Sequence, residues 1–479
     1  MRHKLLELEK AARLLEPGAA DRANAREKVI AYTENFLDNI GTLKVYDKSE
    51  NTGLALLDSP ISEAGIGVDS VIKLLANNVD GPGLNPASGG HLGYIPGGGI
   101  YYSALGDYMA DVFNRYAGIF FAAPGAVRME NMLIRWMSEI VGYPSETAGN
   151  LTTGGSLASL IAIVTARDAH GIKSANMTRS VIYLSEQTHH CIDKAIRIAG
   201  LGECVVRHLP LDEKYRIKPD ALVTQIENDL SAGLNPFLIV GSAGTTDVGA
   251  IDPLAKIGEI ARKYGLWYHI DAAYGGFFVL TEEGKEKLRG IETSDSLVID
   301  PHKGLFLPYG LGVVLVKDAA KLRDSHRYAA NYMQDAAALT DEASPADLSP
   351  ELTKPFRGLR LWLPLKLHGI APFRACLEEK LLLAKYFHAE VKKRGFESTV
   401  EPELSVVTYR FVPKNGDANE FNKKLLDLVV EDGRVFISST ILNGKFILRF
   451  ACLSFRTHLK NVDTLLTVLG DGVDKLNRN

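Results

Sequence analysis

Cysteine is scarce in this 479-residue chain: Cys191, Cys204, Cys376 and Cys452 stand far apart and form no C-x-x-C pair. That spacing supports neither a disulfide framework nor a thiolate metal site, and it leads us to expect a reducing, cytoplasmic setting. An excess of one charge is lacking too, since 54 Lys and Arg face 58 Asp and Glu for a formal net charge of −4. A nucleic-acid partner would call for a concentrated positive face, so none is expected. No stretch approaches the roughly 20 consecutive apolar residues of a membrane span. The opening MRHKLLELEKAARLLEPGAADRANAREK has no continuous apolar core of the signal-peptide kind. We therefore expect neither a membrane partner nor export. The dinucleotide fingerprint is missing as well: GIGVDS, GPGLNP and GLGVVL each lack the third glycine of G-x-G-x-x-G.

What is present is a folded, α/β-type pattern. An apolar fraction of 46% is ordinary for a globular chain. Residues 1 to about 40 read as helices because Leu5, Leu8, Ala12 and Leu15 recur at three- and four-residue steps. A glycine- and proline-rich stretch, Gly81 to Gly99, is too irregular for regular structure and too apolar for a free linker, so it should line something. From about residue 125 to 317, β-branched runs alternate with helical segments. The strand candidates are 181–184, 204–209, 237–242, 266–271, 296–299 and 312–316; the helices between them are 156–169, 193–199, 220–230 and 253–264. Such alternation implies a mostly parallel central sheet with ligands held at the carboxyl ends of its strands. Beyond residue 375 the order becomes helix (377–394), strand (406–412), helix (418–431), strand (446–451), helix (461–476), a smaller C-terminal α+β domain. The expected division is a helical and loop segment at 1–105, a large α/β domain at 106–374 and the small domain at 375–479.

Three motifs fall at strand ends or helix starts. In TTGGS (Thr152–Ser156), glycines and a serine precede the helix SLASLIAIVTARDA, so free backbone N–H groups and the positive helix end would converge on an anion. Plain helix capping explains the same residues. In HIDAAYGG, Asp271 ends a strand and is followed by Ala272 and Ala273; its carboxylate can pair with a cationic ring nitrogen, or merely cap the next turn. In DPHKG, Lys303 follows an apolar strand, where partial desolvation would lower its amine pKa and suit it to Schiff-base formation. Most lysines only solvate a surface. A phosphate cradle, a strand-end Asp and a strand-end Lys in this order are, however, what a cofactor with a phosphate, a protonated pyridine and an aldehyde requires. That cofactor is pyridoxal 5′-phosphate.

With these motifs the chain resembles the group II pyridoxal-phosphate decarboxylases, the family of aromatic-L-amino-acid, glutamate and histidine decarboxylases. Ser296-Leu297 through Lys303 matches the family's lysine signature, with Lys317 closing the segment. Leu311 departs from the usual Cys or Ala, and Asp300 from the Asn common in animal members. The resemblance covers roughly residues 50 to 470 and implies fold type I, the aspartate-aminotransferase-like transferase fold. It implies that Lys303 forms the internal aldimine, that Asp271 pairs with the pyridinium nitrogen, and that Gly155 and Ser156 hold the phosphate. His302 would contact phosphate or aldimine. His189, rather than His190, would stack on the ring and Ala273 would pack on its other face. Thr246 would face the phenolic oxygen, with Thr245 an adjacent competitor. Tyr332, with Tyr328 close by, would be the proton donor, carried on a long mobile loop (326–355) that reaches a partner subunit's site. His91 and Tyr94 would be substrate neighbours.

The implied reaction is decarboxylation of an L-amino acid, an aromatic one favoured, to the amine and carbon dioxide through a quinonoid, in a homodimer with its active site at the interface. Retention of both Tyr332 and His189 favours the amine over the aldehyde made by oxidative relatives. An aldehyde synthase or carbon–carbon lyase is the alternative within pyridoxal chemistry, and a nicotinamide-dependent dehydrogenase is the alternative outside it.

Overall fold

Two-residue strands Tyr46–Asp47 (β1) and Gly83–Leu84 (β2) pair antiparallel near the start of the chain. The central sheet is then built from Ala148–Thr152 (β3), Ser180–Ser185 (β4), Val205–Leu209 (β5), Asn235–Ser242 (β6), Trp267–Asp271 (β7), Ser296–Ile299 (β8) and Gly312–Val316 (β9). The computed structural model describes residues 1–48, 52–327, 342–398 and 400–478.

The sheet order is β3-β9-β8-β7-β6-β4-β5. The five strands from β4 to β8 are parallel, whereas β9 runs antiparallel to both β8 and β3. Every residue of β4 and β9 is buried, as a sheet covered on both faces demands. Successive side chains alternate between two cores: Val181, Tyr183 and Ile239 feed one, and Ile182, Leu184 and Leu238 the other. All six strands expected in the large domain are found, two at their expected bounds and four with one or both ends moved by one or two residues. β3 was not expected, because AGNLT offers only one large apolar residue; it is a strand by virtue of pairing with β9, Asn150 opposite Val314.

The C-terminal sheet comprises Phe396–Glu397 (β10), Val406–Phe411 (β11), Ser438–Leu442 (β12) and Lys445–Ala451 (β13), antiparallel throughout in the order β10-β11-β13-β12. β12 was missed, although its turn was legible: Asn443 and Gly444, both at positive φ, form the two-residue link that a tight hairpin prefers. The helix expected at 377–394 begins earlier, spanning Ala371–Lys393, with Pro372 tolerated in its first turn. It runs across position 375, and the helix Tyr101–Phe113 runs across position 105, so neither expected segment boundary is a break in regular structure.

The N-terminal helices Arg2–Ala12 and Ala19–Asn39 have no buried residue, and Leu5, Leu8 and Leu15 are all exposed. Among the described residues, no helix is long and apolar enough to cross a membrane.

Candidate active site

The parallel strands deliver their carboxyl ends to one edge. Ser242 ends β6, Asp271 ends β7 and Asp300 follows β8, while the turn after β4 carries His189. The antiparallel pair β3/β9 sets Thr152 beside Gly312, bringing the segment Thr153–Ser156 to the same edge. The result is a cavity of about 370 Å³. Gly155, Ser156, His189, Thr246, Asp271, Ala273, His302 and Lys303, scattered over nearly 150 positions of sequence, all line it.

Gly155 and Ser156 open the helix Gly155–Ala169, whose first amides have no intrahelical acceptor. A Cβ at Gly155 would lie 2.9 Å from Asp300 Oδ2 and 3.3 Å from the Ala273 methyl, so the backbone reaches the cavity only because this residue has no side chain. Asp271 Oδ1 accepts the Ala273 amide at 3.0 Å. The carboxylate thus caps the turn and also lines the cavity.

Lys303 rides on the one-turn helix Pro301–Gly304, three positions after Asp300, which places both side chains on one face. Its Nζ lies 3.2 Å from Asp300 Oδ2. Burial opposes the ammonium form, but Asp300 and then Asp271 outweigh it, so the amine is held above its ordinary value. The sequence expectation was the reverse. It considered desolvation alone and missed the buried carboxylate that offsets it.

His189 Nδ1 accepts the amide of Cys191 at 3.2 Å, which leaves any ring proton of the neutral imidazole on Nε2. Burial keeps this ring below the ordinary histidine value, reinforced by His190 and Lys303 and opposed by Asp271. His190 lies against it with the rings tilted, centroids 4.2 Å apart, but is exposed and does not line the cavity. Thr245 and Thr246 both line it. Thr245 Oγ1 accepts the Ala250 amide at 3.0 Å, whereas the Thr246 carbonyl is held by the buried Arg449 guanidinium, which also donates to the Asp247 carbonyl at 2.8 Å.

His91 and Tyr94 do not line this cavity. His91 is 1% exposed and stacks on Phe436, ring centroids 5.7 Å apart; Tyr94 packs on the same ring and is 55% exposed. Tyr332 and Tyr328 lie outside the described residues. Cavity residues that sequence reading missed include Ser242, Tyr309, Gln187 and Cys191. Ser242 carried a usable signal as the last residue of a strand. Burial, followed by the nearby Asp271, pushes the Cys191 thiol up to about 12, so it faces the cavity as S–H.

The chain matches the pyridoxal-dependent decarboxylase conserved domain over residues 89–412. It belongs to the pyridoxal-dependent decarboxylase family. It is 31% identical over 432 residues to an aromatic-L-amino-acid decarboxylase of Bacillus atrophaeus, covering 88% of this chain and 90% of the relative. It is 29% identical over 384 residues to a phenylacetaldehyde synthase of Arabidopsis thaliana, covering 77% and 78%. The crystal structure of Oryza sativa TDC with PLP and tryptamine shares the fold at a TM-score of 0.90 and 24% identity, over 96% of this chain and 99% of that one.

This decarboxylase is therefore a fold type I, pyridoxal-phosphate-dependent carboxy-lyase, and the nicotinamide alternative falls. Its cavity fits the cofactor on three counts: a helix start stripped of side chain at Gly155, a carboxylate fixed at Asp271, and a partly buried amine at Lys303.

Proposed function

We propose that this decarboxylase acts on an aromatic L-amino acid, releasing carbon dioxide and the amine, with pyridoxal 5′-phosphate held through Lys303. The observation that carries the reading is the convergence of Lys303, Asp271, His189 and the Gly155–Ser156 helix start on one cavity. The similarity to an aromatic-L-amino-acid decarboxylase supports the substrate class.

Bound there, the cofactor supplies an electron sink for the pair left on Cα when carbon dioxide departs. The chain's own residues divide the remaining work. Asp271, fixed by the Ala273 amide, holds a proton at the ring nitrogen. Gly155 and Ser156 hold the phosphate through helix-start amides and the hydroxyl. His302 takes a place beside them, Thr246 faces the phenolic oxygen, and His189 and Ala273 take the two faces of the ring. Tyr332 returns the proton to Cα, and His91 and Tyr94 are assigned as substrate neighbours.

We assign the functional unit as a cytoplasmic homodimer in which residues 1–105 serve as a docking segment, 106–374 bind the cofactor and 375–479 form the small domain. The apolar positions of the first two helices, none of them buried, support that docking role.

Purified protein tests the reading directly. Reconstitution with pyridoxal 5′-phosphate should give a visible absorbance band that borohydride bleaches, and peptide mapping should find the fixed label on Lys303. A panel of amino acids scored by carbon dioxide release should rank tryptophan, tyrosine and phenylalanine first. A label on another lysine would overturn the site, and preference for an acidic amino acid would overturn the substrate class. The similarity to phenylacetaldehyde synthase favours one second reading, oxidative conversion to the aldehyde. Ammonia and peroxide among the products would select it.

A further inference from the structure

Asp300 is a charged side chain with almost no water and almost no partners. It is 1% exposed. Its Oδ2 lies 3.2 Å from Lys303 Nζ and 3.7 Å from His302 Nε2, while Oδ1 is buried with no hydrogen-bond partner among the described residues. The carboxylate lies directly against two glycine backbones. A Cβ on Gly312 would stand 2.6 Å from Oδ1 and one on Gly155 2.9 Å from Oδ2, so two glycine positions are occupied up to van der Waals contact by this one side chain. From the other direction, the Asp300 carbonyl accepts the Lys303 amide at 2.9 Å, which fixes the turn relating the two residues. A carboxylate buried this deeply is stable as an anion only if a cation stays with it. The nearest cation is the lysine that takes the cofactor.

We propose that Asp300 is a positioning residue, the dedicated counter-ion of Lys303: it keeps the amine protonated and aimed along the cavity floor whenever that amine is not covalently engaged. Asp271 serves the ring-nitrogen side of the same cavity, so the two carboxylates have separate duties, one for the cofactor ring and one for the lysine. The anion also stands under the helix start at Gly155, and pairing with Lys303 is what prevents it from repelling an incoming phosphate. This inference rests on the reading of Lys303 as the cofactor's attachment point.

The test uses the full-length protein with and without cofactor. In the cofactor-free enzyme, reductive methylation with ¹³C-formaldehyde reports the titration of individual lysines by NMR. Asp300→Asn should lower the Lys303 titration midpoint by about one unit or more, the scale of losing an opposite charge at this distance, and speed modification at pH 8 about tenfold. Asp300→Glu should restore part of the shift. After reconstitution, the pH midpoint of the visible band should move in Asp300→Asn and stay unmoved in Glu282→Gln, a distant surface control. An unchanged Lys303 titration in a folded Asp300→Asn protein overturns the proposal; thermal unfolding monitored alongside establishes folding, and should Asp300→Asn fail to fold, an unchanged midpoint in Asp300→Glu overturns it equally. If neither the parent nor the variant develops a band with cofactor, the attachment reading fails instead, while the lysine titration still decides the ion pair.

Discussion

His302 Nδ1 sits 2.6 Å from the carbonyl oxygen of Leu311. A carbonyl can only accept, so Nδ1 carries the proton and Nε2 is left facing Asp300, 3.7 Å away. Burial, followed by Lys303 and other neighbours against the opposing pull of Asp300, keeps this ring below the ordinary histidine value, so it is neutral at pH 7. The backbone thus dictates the tautomer that the cavity sees. Leu311 serves His302 through its main chain, and its side chain is buried.

Replacing His302 by Leu should therefore act on two observables. Stability should fall by about 1 kcal/mol, because the buried carbonyl loses one donor while keeping the weaker His302 amide contact at 3.3 Å. Cofactor affinity, measured by absorbance titration, should weaken roughly tenfold, since about 1.4 kcal/mol is a factor of ten. Unaltered affinity would remove His302 from the cofactor's surroundings.

The glycine cradle makes a graded prediction. At Gly155 an added methyl meets Asp300 Oδ2 at 2.9 Å and Ala273 Cβ at 3.3 Å, both side-chain atoms; at Gly312 it meets the Gly154 carbonyl carbon at 2.4 Å, which is backbone. Gly155→Ala should fold and lose most cofactor affinity. Gly312→Ala should lower stability as well, by about 1–3 kcal/mol, the cost of overpacking. Calorimetry with and without cofactor separates the two effects, and equal behaviour of the two variants would count against the cradle geometry.

Acid sensitivity should come in part from buried histidines that do not line the cofactor cavity. Burial pushes His91 and His269 down to about 4, with weaker opposition from a backbone contact in the first case and from Asp271 in the second. Between pH 6.5 and pH 4 the unfolded chain binds protons that the folded chain refuses, so stability falls as the pH drops through that window. Each ring should account for about 2–3 kcal/mol of the loss by pH 4.5, at 1.36 kcal/mol per unit. His91 offers the cleaner test, because among the described residues its ring nitrogens have no partner beyond its own backbone. Denaturant titrations of His91→Phe at pH 7 and pH 4.5 should show an acid loss smaller by that amount; an identical loss would refute the assignment.

Lys354 and Glu130 form an ion pair of 2.7 Å with both side chains essentially inaccessible, and Lys354 also donates to Asn150 Oδ1 on β3. Removing one charge strands the other. Lys354→Met should cost about 3–5 kcal/mol in thermal or denaturant unfolding, whereas the double variant Lys354→Met with Glu130→Gln should recover much of it. A double variant no better than the single would indicate that packing, not charge, sets the cost.

How much of this was legible beforehand depends on range along the chain. The β-branched runs at 181–184 and 312–316 identify themselves, because a strand covered on both faces must be apolar throughout. Asp271 and Lys303 were nominated only in combination with the glycine–serine helix start, because a strand-end position and a residue type alone suit a turn cap and a surface lysine equally well. β3 and β12 were not legible: AGNLT and SSTIL become strands only through partners, 164 positions away for the Asn150–Val314 pair and across the Asn443–Gly444 turn for the other. The sign of the Lys303 shift was misjudged for a related reason. Asp300 stands three positions before the lysine, but sequence gives no measure of its burial, and burial is what makes its charge count.

The in-register pairing of Ser242 with Asp271, and of Asp271 with Val298 just ahead of Asp300, has a kinetic corollary for biosynthesis. Sliding any one of these strands by a single residue would turn its terminal side chain to the opposite face. A nascent polypeptide therefore gains nowhere to lodge a reactive aldehyde until the middle of the sheet has zipped correctly, so loading with vitamin B6 should report the last stage of maturation rather than an early one.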